Sequence, residues 1–121
     1  MGKRQSNPHQ SIYALICRDE VVAGPHYVKV GRSGDVGGRL SDLIIGSPLP
    51  WLEHLVIHLV PHVRAEAVER GILRMFKARK SRGEWFRFTL DDPADAAVLR
   101  EGLSLAERWA VSPTVRTKRT D

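Results

Sequence analysis

Lys29 and Arg39 are the two side chains whose types and spacing first suggest chemistry. Lys29 lies in Tyr27-Val28-Lys29-Val30-Gly31, whose alternation reads as a short strand with Val28 and Val30 on one side and Lys29 and Gly31 on the other. The segment Ser33-Gly34-Asp35 carries a turn, and Asp35 is suited to cap a helix with the apolar stripe Val36, Leu40, Leu43 and Ile44. On that spacing Arg39 leaves the edge of the stripe and looks back over the strand that delivers Lys29. Two cations aimed at one place suit the recognition of phosphate or carboxylate oxygens.

A wider positive field accompanies them. The chain carries a formal net charge of +5 over 121 residues. Between Arg64 and Arg87 stand eight Lys or Arg residues (Arg64, Arg70, Arg74, Lys77, Arg79, Lys80, Arg82, Arg87) against Glu66, Glu69 and Glu84. A smaller cluster, Arg116, Lys118 and Arg119, follows in the tail. Charge alone leaves two readings level: a solvated helix face, or a footprint for a polyanion such as nucleic acid. Histidines at 54, 58 and 62 suggest a metal cluster at first sight. Strand neighbours four apart stand roughly 13 Å from one another, however, and Pro61 breaks any helix that would unite them, so structural or surface roles outweigh a zinc site.

The elements that must hold these groups form one domain. The length suits a single two-layered core, and no apolar run is long enough to span a bilayer. The one cysteine, Cys17, lies in an apolar run, which points to a buried thiol and a reducing, cytoplasmic compartment. Residues 1–10 read as a flexible arm, residues 11–110 as the folded unit and residues 111–121 as a basic, disordered tail. Ser11 to Cys17 is apolar on both faces and reads as a central strand, and the strand through Val30 returns antiparallel beside it, so that Tyr13 and Lys29 can share a face. Gly46-Ser47-Pro48 stops the first helix, and Leu52 to Val60 is a third strand closed by Pro61. A helix over 63–79 buries Val68, Ile72, Met75 and Phe76 and pairs Glu66 with Arg70; Gly71 weakens it and suggests close packing. Trp85-Phe86-Arg87-Phe88 is a short aromatic strand or extended segment. Asp92-Pro93 starts a last helix that runs to Trp109 and covers the core with Val98, Leu105 and Trp109.

Ser11-Ile12-Tyr13, Lys29-Val30-Gly31, Arg39 on the next helix, Gly46-Ser47-Pro48, Glu69 ahead of Ile72 and Phe76, and Gly83-Glu84-Trp85-Phe86 follow one another in an order that resembles the GIY-YIG nuclease superfamily. The likeness is to its small phage and bacterial branch, in which the second motif reads Lys-Ile-Gly, and it covers residues 11–88. The resemblance implies an α+β fold with a small antiparallel three-stranded sheet flanked by helices, an additional C-terminal helix, and metal-dependent hydrolysis of DNA. Carried over, Tyr13 is the general base or water-positioning group, Lys29 stands where a second tyrosine is usual, Arg39 binds phosphate and Glu69 holds magnesium or manganese. The sequence departs from the pattern in three ways: Ser11 replaces a glycine, Leu73 replaces a histidine, and the first loop is longer.

Phosphodiester hydrolysis needs a group to orient and deprotonate water, a group to neutralise the non-bridging oxygens and a group to stabilise the leaving oxygen. Arginine suits the second task, and a lone carboxylate such as Glu69 suits the third, since magnesium takes one or two protein carboxylates and fills its shell with water and phosphate oxygens. Arg32, Arg70, Arg74, Lys77, Lys80 and Arg82 are then expected to grip the DNA backbone. With no recognition module appended, a second copy of the chain or a targeting partner protein would supply specificity. Each residue also has a plainer role: Tyr13 as a core aromatic, Arg39 as a helix flank, Glu69 in a surface ion pair, and Glu84 and Trp85 as structural parts of a turn. The competing functions are a DNA-binding module that has lost cleavage and a protein-interaction domain whose positive face meets an acidic partner.

Overall fold

A computed structural model describes residues 10–18, 25–46 and 50–119. The arm expected over residues 1–10 lies almost wholly outside them, as do the Ser47-Pro48 stop and most of the first loop. The elements run β1 (Ser11–Arg18), β2 (Pro25–Ser33), α1 (Val36–Gly46), β3 (Trp51–His58), α2 (Ala65–Phe76), a 3-10 turn (Lys77–Arg79), β4 (Trp85–Thr89), α3 (Pro93–Glu107) and β5 (Val115–Lys118).

The α+β class holds, but the sheet has five antiparallel strands in the order β4-β2-β1-β3-β5, with three helices, and this corrects the three-stranded expectation. The aromatic segment at 85–89 is a strand, because its extended residues complete the open edge of β2 and place Phe86 and Phe88 inward. Residues 115–118 likewise correct the expected disordered tail. They pair with β3, and Arg116 is tied to Glu53 at 3.2 Å and to Glu107 at 3.8 Å. Every residue of β5 is exposed, so no apolar alternation betrayed it.

β1 is central, as its two apolar faces require. One face carries Ile12, Ala14, Ile16, Val28 and Val30 and packs on α2 and α3 through Ile72, Phe76, Leu99 and Leu103. The other carries Tyr13 and Val56 and receives α1 through Val36 and Leu40. Asp35 caps α1 by accepting from the Gly38 N–H at 3.3 Å, and Asp92 caps α3 by accepting from the Ala94 N–H at 2.9 Å. Val98 and Leu105 of the expected α3 stripe pack against the core, but its most buried residues are Leu99, Gly102, Leu103 and Ala106, and Trp109 lies beyond the helix end and is left 42% exposed.

Close packing is required at Gly102, where a Cβ would overlap the Phe76 ring, and this corrects the reason inferred for Gly71. A Cβ at Gly71 would meet only Leu105 Cδ1 at 3.5 Å, an ordinary contact. Gly71→Ala should therefore raise unfolding stability by about 0.5–1 kcal/mol. Gly102→Ala should lower it by about 1–3 kcal/mol. Urea unfolding of the two variants checks both signs.

Candidate functional site

Register places Tyr13 opposite Gly31, and the Tyr13 hydroxyl lies over that glycine. A Cβ at position 31 would overlap the phenol, so the glycine is the seat of the tyrosine. α1 docks beside the same ring through Val36 and Leu40, which carries Arg39 to the edge of the contact. There the Arg39 Nε–H donates to the Tyr13 hydroxyl oxygen at 3.3 Å. The Tyr13 oxygen and then the charges of Glu84 and Asp42 hold the Arg39 guanidinium above its ordinary pKa. Because the phenol oxygen accepts from Arg39, its own O–H proton is left to point at another acceptor.

Lys29 stands two residues before Gly31 on the same face, as the alternation requires, and is 7% exposed. A buried ammonium needs a partner, and Lys29 Nζ donates to Glu84 Oε1 at 3.1 Å. Trp85 opposes Lys29 in the β2–β4 ladder, which sets Glu84 just beyond the pair, and Gly83 reaches a φ of 61° to make the turn. The hydrogen bond and charge of Lys29, followed by the charges of Arg39 and Lys80, hold the Glu84 carboxyl below the usual glutamate range. The Glu84 side chain is nonetheless 81% exposed and accessible from solvent. The structure thus gathers Tyr13, Lys29 and Arg39 on the face of the sheet that carries α1, with Glu84 as their carboxylate. Sequence reasoning gave Glu84 only a structural role in the turn. The register of β4 against β2 is the signal that would have found it, and sequence does not carry register.

Glu69 approaches from the other face. Its Oε1 lies 3.3 Å from Arg32 Nε, and Arg32 opposes Ile12 in the ladder, facing away from Tyr13. Arg32 follows Gly31 directly, so Glu69 reaches the same end of β2 as the tyrosine seat. Glu66 joins this group at 3.9 Å from Arg32 and 3.4 Å from Arg70, the latter being the expected helical pair. Arg32 and Arg70, expected on a DNA-gripping surface, are therefore opposed by two carboxylates. Arg74, Lys77, Lys80 and Arg82 form no ion pair with the described residues.

The three histidines part company. His58 Nδ1 and Ser11 Oγ share a hydrogen bond of 2.7 Å, which gives Ser11 a partner that a glycine there would lack. His54 stacks on Trp51 with ring centroids 5.1 Å apart, and burial pushes its pKa down. His62 meets Trp109 edge-on at 6.3 Å. Among the described residues no group of three or more His, Cys, Asp or Glu side chains is placed to hold a metal ion. No helix of the described residues is long and apolar enough to cross a membrane.

A family model, the T5orf172 domain, matches residues 10–109. No curated protein and no solved structure matches. The match corrects the resemblance drawn from the motifs, because the family found is a distinct one and the GIY-YIG superfamily is not what the chain matches. The short motifs misled because each is only a few residues long, so their order could resemble a neighbouring pattern without membership in it.

Proposed function

The chain belongs to the T5orf172 domain family, a phage-associated and nuclease-like one, and on that premise we propose that it is a DNA endonuclease or nickase that hydrolyses phosphodiester bonds at Tyr13, Lys29, Arg39 and Glu84. The observation that carries this reading is the Arg39–Tyr13 hydrogen bond over the Gly31 seat. It leaves a permanently charged, exposed guanidinium and an orientable hydroxyl side by side.

The guanidinium takes two non-bridging oxygens of the scissile phosphate and spreads their charge as the transition state forms. One Lys29 donor is spent on Glu84, and the remaining donors are available to the same phosphate. The Tyr13 hydroxyl, its oxygen already fixed by Arg39, orients the attacking water. Glu84, kept ionised by Lys29, is too weak a base to take a proton from free water at neutral pH and serves to hold the ammonium in place.

Glu69 would hold magnesium or manganese once Arg32 gives up its pair. Two carboxylates, Glu66 and Glu69, already reach one cationic group, and a hard divalent ion can use the same oxygens with water and phosphate completing its shell. Such an ion would neutralise the leaving oxygen and lower the pKa of a bound water.

Metal-dependent nicking of supercoiled plasmid tests the reading. Wild type should convert supercoiled to open-circular DNA only with magnesium or manganese, and Glu69→Gln should abolish conversion while DNA binding persists. Binding by both proteins with conversion by neither would instead identify a DNA-binding module without cleavage. That alternative is favoured by the pairing of Glu69 with Arg32, which an ion has to displace. Binding to DNA should weaken steeply with added salt.

A further inference from the structure

Outside the Tyr13 site, a cleft of about 410 Å³ between α2 and β4 plays no part in the proposed chemistry. Its floor is apolar, formed by Val30, Leu73 and Phe86, and its rim carries Arg74, Lys77 and Lys80. Glu84 borders the cleft while its carboxylate holds Lys29, so the cleft adjoins the Lys29–Glu84 pair.

We propose that this cleft receives the base of an unpaired nucleotide, so that the protein prefers interrupted or single-stranded DNA to a continuous duplex. The inference rests on the nuclease reading above. A duplex offers its phosphates to a positive rim but keeps its bases stacked, and the apolar floor then gains nothing. An unpaired base has a free face to lay on half-buried Leu73 and the small uncovered edge of Phe86, and its flanking phosphates meet Arg74, Lys77 and Lys80. This pairing of a cationic track with an apolar platform is the usual means of holding single strands without reading sequence. Of the cations lining the cleft, Arg70 is paired with Glu66 and Lys80 lies in the field of Glu84, while Arg74, Lys77 and Lys80 form no ion pair with the described residues, so the lining keeps a positive excess that complements a polyanion. A nucleotide seated there lies beside Glu84 and Lys29, which sets a neighbouring phosphate toward Arg39.

Fluorescence anisotropy in EDTA, which suppresses cleavage, tests the inference with three labelled duplexes: fully paired, carrying one bulged adenine, and carrying an abasic bulge of the same backbone. The bulged adenine should bind about tenfold tighter than the paired duplex. The abasic bulge should lose that gain, which separates base docking from bulge flexibility without changing the protein. Leu73→Gln should also remove the gain and leave the affinity for paired duplex unchanged. Equal affinity for all three duplexes would overturn the cleft inference and leave the nuclease reading standing. Failure to bind any DNA while labelled polyglutamate binds tightly would overturn both, and would assign the positive face to an acidic protein partner.

Discussion

Arg39→Lys should lower the rate of phosphodiester cleavage by about two to three orders of magnitude while leaving the folded state intact. The guanidinium does two things at once: its Nε–H fixes the Tyr13 oxygen at 3.3 Å, and the remaining fork is free for phosphate. A lysine keeps the charge but presents a single point donor on a flexible stem, so it can serve one of these tasks and not both. Arg39 is exposed, and removal of its fork creates no cavity. Unfolding stability should therefore move by no more than about 0.5 kcal/mol. Plasmid nicking rates measured beside urea unfolding curves check the pair of outcomes. A large rate loss with unchanged stability supports a direct role, whereas a rate equal to wild type would assign Arg39 to the helix flank.

Gly31→Ala should damage both stability and rate. The added methyl has no room, because the phenol of Tyr13 already occupies the space above the glycine. Tyr13 is 3% exposed and wedged between the sheet and α1, so relief requires the ring to move and break its bond to Arg39. Overpacking of this kind costs about 1–3 kcal/mol, and displacement of a positioned group by an ångström costs about a hundredfold in rate. The double variant Gly31→Ala with Tyr13→Ala should be less destabilised than the sum of the single variants, since the clash disappears with the ring. Its activity should not return. Additive destabilisation would mean that the glycine serves the turn rather than the tyrosine.

Local signals carried far into the structure. Two apolar faces made Ser11 to Cys17 central, the alternation in β2 put Lys29 and Tyr13 on a common face, and Asp35 and Asp92 marked helix starts that the hydrogen bonds bear out. The signals failed where identity depends on a partner distant in sequence. β5 is a strand because β3 offers an edge and Glu53 and Glu107 hold Arg116, and neither condition is written in Val115 to Lys118. Glu84 meets Lys29 across 55 residues through the β2–β4 register, and Glu69 is held to Arg32 across a helix–sheet contact. The role of a glycine is equally non-local, for Gly71 and Gly102 read alike until Phe76 is seen against one of them. Family membership was misread for a related reason, since a handful of motif positions says less than the whole span of residues 10–109.

On this mechanism a scissile phosphate lies between the Arg39–Tyr13 pair and Lys29. A crystal structure of Tyr13→Phe, which keeps the ring and lacks the hydroxyl, bound to a short single strand of DNA with manganese tests it most directly. The expected result is a phosphate whose non-bridging oxygens sit within hydrogen-bond distance of the Arg39 guanidinium and Lys29 Nζ, with the ion at Glu69. A strand lying elsewhere on the molecule, with Arg39 and Lys29 facing only solvent and Glu84, would contradict it.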